Sequence, residues 1–210
     1  MALSLARFTV GPLQENAYLL FDEASKAAVY IDPGDEAPRL LQALSDGDLK
    51  LEAIWLTHAH FDHIGAIEGL SEHYNVPIFL HARDRELYHN AYKAAKLWEI
   101  PFTQPTAPTL DLADDGLLTL AGVDVQCLFT PGHAPGHMAF YVPSQGFVLA
   151  GDTLFQGSIG RTDLPGGNHE LLLESIHSKL LTLPDDTVVY PGHGPETRIG
   201  LEKVYNPYLS

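Results

Sequence analysis

Cysteine is almost missing from this chain. Cys127 is the only one among 210 residues, so no intrachain disulfide exists, and its place in the apolar run Val123 to Phe129 points to a buried, inert thiol. Cationic residues are scarce as well. Twelve Lys and Arg stand against 27 Asp and Glu, a formal charge of -15, with no basic run that would neutralise phosphates, which excludes a nucleic-acid partner. No stretch approaches the ~20 consecutive apolar residues of a membrane span. The opening MALSLARFTVGPL lacks a long apolar core after a basic start, so the expectation is a cytoplasmic protein with no membrane partner. Low-complexity tracts and linker-like stretches are also lacking, so residues 1–210 read as one domain. What is present is an ordinary globular mixture, 45% hydrophobic and 19% charged, with enough apolar surface for a core.

The apolar pattern alternates strands and helices. Strands are expected at Ala6 to Val10, Ala17 to Phe21, Ala28 to Ile31 and Ala53 to Leu56, with a helix from Arg39 to Ser45 showing Leu40, Leu41 and Leu44 on one face. A helix from Asp62 to Tyr74 (Ile64, Ile67 and Leu70 on one side) and a strand from Val76 to Leu80 follow. Another helix, Asp84 to Trp98, directs Leu87, Ala91, Ala94 or Ala95 and Trp98 inward, and the proline-rich stretch Pro101 to Pro108 ends it. The second half is strand-rich, at Leu117 to Leu120, Val123 to Phe129, Met138 to Val142, Phe147 to Ala150 and Thr187 to Tyr190. Its one helix is expected at His169 to Leu181. Pro131-Gly132-His133 and Pro191-Gly192-His193 each follow a strand, a weak internal repetition.

The chemistry is concentrated in Thr57-His58-Ala59-His60-Phe61-Asp62-His63, where an apolar strand gives way to a helix. His58 and His60, two apart in extended or turning backbone, can aim at one point. Asp62 and His63, at the helix start, can serve a neighbouring point, which suggests two metal ions. His133, Asp152 and His193 each follow an apolar strand and are flanked by glycine, which lets backbone come close to a metal centre. Imidazoles and carboxylates without thiolates suit two divalent ions, Zn first, with Fe or Mn as alternatives. A seven-member set of this kind would be costly to keep in a non-catalytic module, since unpaired polar groups clustered in a cleft destabilise it.

THAHFDHIGA, TPGHAPGH, AGDTLFQGSIGRTD and YPGHGPET resemble the metallo-β-lactamase superfamily. Within it they are similar to the hydroxyacylglutathione hydrolase (glyoxalase II) branch, especially its short bacterial members. The resemblance implies an α/β (α+β) fold, a four-layer αββα sandwich with the site along one edge. It also implies His58, His60 and His133 on a first metal, Asp62, His63 and His193 on a second, and Asp152 bridging both. Asp62 and Asp152 are then the catalytic carboxylates, Asp62 orienting a metal-activated hydroxide or accepting a proton, and the partner is a small-molecule thioester. His137, the second His of PGHAPGH, is expected to hydrogen-bond behind the site. His169 reads as a helix-start residue, and His73, His81, His89 and His177 as ordinary surface or core residues.

The pattern is not kept everywhere. Longer enzymes of this branch carry a C-terminal helical extension that grips glutathione, and here only Gly194 to Ser210 follows the last ligand. Where they have a Lys and a Tyr that help hold the thiol, this chain has Arg161 and Asp163. Arg161 is the candidate substrate-binding residue, a guanidinium able to fork onto a carboxylate, with an Arg161–Asp163 surface pair as the competing reading. The Gly160-Arg161-Thr162-Asp163 stretch is also similar to the persulfide dioxygenases, which use one iron held by two His and one Asp, making an oxidoreductase the alternative to a hydrolase. β-Lactam hydrolysis is disfavoured, because no secretion signal is visible and the DTLFQGSIGRTD segment resembles the thioesterases.

Overall fold

The computed structural model describes residues 2–209. Two six-stranded sheets face each other. The first holds, in spatial and chain order, β1 (Ser4–Val10), β2 (Glu15–Phe21), β3 (Ala27–Ile31), β4 (Lys50–Trp55), β5 (Ile78–His81) and β6 (Leu110–Leu112), antiparallel through β3 and parallel beyond it. The second uses β7 (Leu117–Leu120), β8 (Val123–Phe129), β9 (Met138–Val142), β10 (Phe147–Gly151), β13 (Val188–Pro191) and β14 (Thr197–Arg198), in the order β14-β13-β10-β9-β8-β7. A hairpin of β11 (Leu154–Phe155) and β12 (Ser158–Ile159) stands apart.

Each sheet is covered on both faces, which is why its central strands read as unbroken apolar runs. In β2, Tyr18 and Leu20 point into the space between the sheets, while Ala17 and Leu19 face helices. In β9, Met138, Phe140 and Val142 meet the first sheet and Ala139 and Tyr141 turn outward. Cys127 lies in this central layer, where burial pushes its thiol up to about 12, as an inert core residue. Outside the first sheet pack α1 (Ala37–Asp46), α2 (Ile67–Ser71) and α3 (Arg85–Leu97), through Leu40, Leu44, Ile67, Leu70, Tyr88 and Ala91. Outside the second packs α4 (His169–Ser175), continued by a wider turn over Ile176–Leu180. The layers are therefore αββα, as the resemblance implied. No helix among the described residues is long and apolar enough to cross a membrane.

Two expectations need revision. The helix expected from Asp62 to Tyr74 is a tight turn over Phe61–His63 followed by the short α2. The cause is tertiary: Gly65 packs directly on the Gly34 carbonyl and the Ala66 amide donates to the Pro33 oxygen, so the loop after β3 sets this backbone instead of helical periodicity. Trp98 is not inward. It ends α3 with 47% of its surface exposed, because the buried stripe of that helix is Tyr88, Ala91 and Ala95. The tail after His193 is ordered into β14 and α5 (Ile199–Tyr205), anchored by buried Ile199 and Glu202.

Candidate metal centre

The seven candidates come together at one edge of the two sheets. His58, His60, Asp62 and His63 lie in the loop after β4, His133 follows β8, Asp152 follows β10 and His193 follows β13. The loops are tied behind the site by Asp84, whose buried carboxylate accepts the Ala59 amide at 3.1 Å and the Gly136 amide at 2.5 Å. Burial lifts this carboxyl to about 6 even though both amides pull the other way.

Two groups of donor atoms result. His60 Nδ1 lies 3.0 Å from His58 Nε2 and 2.9 Å from His133 Nε2. Beside them, His193 Nε2 is 3.3 Å and His63 Nε2 3.9 Å from Asp62 Oδ2. Asp152 sits between the groups, Oδ1 at 3.6 Å from His63 Nε2 and Oδ2 at 3.6 Å from both His133 and His193 Nε2. Within each group the ligand atoms lie within 4.8 Å of one another, close enough to share a cation. Gly192 lets Asp152 in, since a Cβ there would overlap Asp152 Oδ1 and lie 2.8 Å from His63 Cε1.

The far side of each ring fixes which nitrogen is bare. His133 Nδ1–H donates to the Arg161 carbonyl at 2.8 Å, His193 Nδ1–H to the Leu13 carbonyl at 3.1 Å, and His63 Nδ1–H to Asp32 Oδ2 at 3.1 Å. The Thr57 hydroxyl donates to the same Asp32 oxygen at 2.5 Å, which leaves its lone pair for His58 Nδ1–H at 2.9 Å. Every Nε2 lone pair of these four therefore points at the centre. Asp32, His58 and His63 also lie close together, but the hydrogen bonds just described account for that cluster.

Acceptors facing acceptors need a cation. His63 Nε2 and Asp152 Oδ1 are buried with no hydrogen-bond partner among the described residues, and the chemistry of the donors fits divalent ions. Burial holds His60 down to about 3 and His58 well below its usual value, so these imidazoles are neutral and ready to ligate. Burial would lower His63 too, but Asp152 and Asp62 outweigh it and raise it well above normal, and His193 is also raised, against burial, by its bond to Asp62. Asp152 is held far down despite burial, chiefly by His63.

Sequence reading missed Asp32, Thr57 and Asp84. Each acts through contacts 25 or more residues away, or through an immediate neighbour, and none carries a spacing signal. His137 behaves as expected, its Nε2 accepting the Asp152 amide at 3.0 Å and its Nδ1–H facing Thr130 Oγ1 at 3.0 Å. His169 begins α4, capped by Asn168. Arg161 lines the cleft over the centre, but its guanidinium forks onto Asp163 at 2.8 and 2.7 Å and lies 5.8 Å from the Trp98 ring centroid. Its carbonyl, not its side chain, reaches the site, by orienting His133.

The family model described as the metallo-beta-lactamase superfamily matches residues 10–193. The chain belongs to the metallo-beta-lactamase superfamily. Among curated relatives, a probable metallo-hydrolase, YqgX of Bacillus subtilis, is 44% identical over 206 residues, covering 97% of this chain and 96% of the relative. The hydroxyacylglutathione hydrolase GloC of Haemophilus influenzae is 40% identical over 203 residues, 96% of this chain and 95% of the relative. Of solved structures, BLEG-1 B3 metallo-beta-lactamase superposes with a TM-score of 0.92 at 41% identity, covering 99% and 100% of the two chains. TTHA1623 in a di-iron-bound form superposes with a TM-score of 0.90 at 46% identity, covering 97% and 100%. Membership of this metallo-beta-lactamase superfamily thus agrees with the donor groups, while the relatives' names span more than one activity.

Proposed function

We propose that this chain is a metal-dependent thioester hydrolase of the hydroxyacylglutathione hydrolase type, with His58, His60 and His133 holding one divalent ion, Asp62, His63 and His193 a second, and Asp152 shared. The observation that carries this reading is the assembled second group beside the first, with Asp152 oxygens facing both. The 40% identity to a hydroxyacylglutathione hydrolase and the di-iron form of a 46% identical protein support it. When bound, a pair of divalent cations supplies Lewis acidity, lowering the pKa of water and polarising a carbonyl. The protein's own part is orientation. Asp62, next to His193 at the cleft, orients the attacking water and takes its proton, and the hydrogen bonds behind His58, His63, His133 and His193 hold the rings in one tautomer.

Metal analysis of protein purified without added metal, joined to a thiol-release assay and an oxygen electrode on zinc- and iron-loaded samples, tests the reading. About two ions per chain and thiol release from S-lactoylglutathione are expected. Persulfide-dependent oxygen uptake in the iron form with no thiol release from any thioester would replace the hydrolase by the dioxygenase-like alternative. Hydrolysis of β-lactams alone would also overturn the reading.

A further inference from the structure

A cleft of about 770 Å³ opens over the candidate metal centre, with His60, Asp62, His133, Asp152 and His193 at its floor. One wall is α3. Its residues Leu87, Asn90, Ala94 and Leu97, spaced by three, four and three, form a second stripe beside the buried Tyr88, Ala91 and Ala95, and Trp98 continues it. Leu87 and Ala94 also pack against the core beneath the helix and Asn90 is polar, so the apolar surface left over at this wall is Leu97 and Trp98 at the end of the helix. The excess is costly to leave in water: Leu97 is 86% and Trp98 47% exposed. Phe155, from the β11–β12 hairpin, and Leu164 add to the apolar lining.

The charges on these walls do not suit an anionic peptide. Arg161 is matched by Asp163, and the Arg83 guanidinium lies 5.0 Å from the Phe129 ring centroid with Glu86 lining the same cleft. The molecule carries a formal -15, which repels anions approaching from solution. An apolar cleft of this size, continuous with a reactive centre, matches a ligand with an uncharged chain.

Resting on the thioesterase reading above, we infer that the cleft takes an apolar chain, aliphatic or aromatic, carried on the thioester in place of a charged peptide thiol. The reaction is RCO–SR′ plus water giving RCOOH and R′SH. The C–S bond breaks, a C–O bond forms, a water proton ends on the thiolate, and no redox change occurs.

The test uses metal-loaded, full-length protein with two substrate series: butanoyl, hexanoyl and octanoyl thioesters of N-acetylcysteamine, and acetyl thioesters of butane-, hexane- and octanethiol. S-lactoylglutathione serves as reference. A kcat/KM that climbs with chain length, by up to about fourfold per methylene, is expected in one series, and that series identifies which half of the substrate lies against α3. Trp98→Ala and Leu97→Gln, both at exposed positions, should flatten the climb with circular dichroism and metal content unchanged, and Trp98→Phe should retain it. A flat dependence in both series, with S-lactoylglutathione still turned over, overturns this inference and leaves the thioesterase reading standing. If no thioester is cleaved, the thioesterase reading fails and binding decides the inference. Trp55 is 2% exposed, so Trp98 is the tryptophan that reports on the cleft, and S-butyl and S-octyl thioethers of N-acetylcysteamine, which are not hydrolysed, can be titrated against its fluorescence in metal-loaded protein. Octyl binding tighter than butyl by at least about tenfold, with the signal lost in Trp98→Phe, supports the apolar cleft. Equal affinities overturn it.

Discussion

Asp84 shows how a single side chain can hold a site without touching it. Its two oxygens accept the amides of Ala59 and Gly136, so one buried carboxylate joins the loop bearing His58 and His60 to the loop bearing His133. Burial raises its pKa from 3.8 to about 6, and the folded protein therefore holds this proton more tightly than the unfolded chain does. The contribution is fully present below about pH 4 and is lost as pH rises through about 6, worth roughly 3 kcal/mol for a shift of that size. In chelated protein, urea melts of wild type and Asp84→Asn should show a stability gap that narrows as pH goes from 4 to 7, while other groups cancel in the difference. A gap independent of pH would mean that Asp84 is ionised throughout. No pattern in the sequence marked this residue, because what matters is which amides lie across from it.

At the scale of elements, the strands were legible because sheets covered on both faces need continuous apolar runs, as in β2 and β9. The segment after β4 was not. Ile64, Ile67 and Leu70 are buried at helical spacing, yet α2 has only five residues, since Gly34 and Gly65 bring two loops into backbone contact ahead of it. Gly65→Ala would force its methyl into the Gly34 carbonyl. It should cost on the order of 1 to 3 kcal/mol in urea melts and weaken metal binding, because the loops bearing Asp32 and Asp62 must part. Unchanged stability and metal affinity would mean that this contact does not fix the loop.

For the whole molecule, the candidate centre is a clasp between sheets. Four of its side chains follow the first sheet and three the second, and the apolar layer between the sheets does not extend over these loops. Metal binding to the folded state alone adds stability as the logarithm of free metal over Kd, about 4 kcal/mol at a thousandfold excess. For a domain of this size that corresponds to roughly 8 to 16 °C in Tm. Chelation should lower Tm by that order in wild type and much less in Asp152→Ala, which has lost the shared ligand. Equal shifts in the two proteins would argue against Asp152 as the link between the two ions.

The sequence by itself determined the alternation of strands and helices and the seven candidate donors, because apolar periodicity, the HxHxDH spacing and glycine-flanked strand ends are local properties of a chain. The layered class of the fold and the division of the donors into two groups around Asp152 came from resemblance to a family. Only the tertiary structure decided how the rings are oriented and what the cleft presents. Asp32 orients His63 directly and His58 through Thr57 from 31 and 25 residues away, and Arg161, a candidate for binding substrate, spends its guanidinium on Asp163 while its carbonyl orients His133. Hydrogen bonds of this kind are fixed by where the backbone carries each atom, and Leu97 and Trp98 border the cleft because the buried side of α3 ends at Ala95.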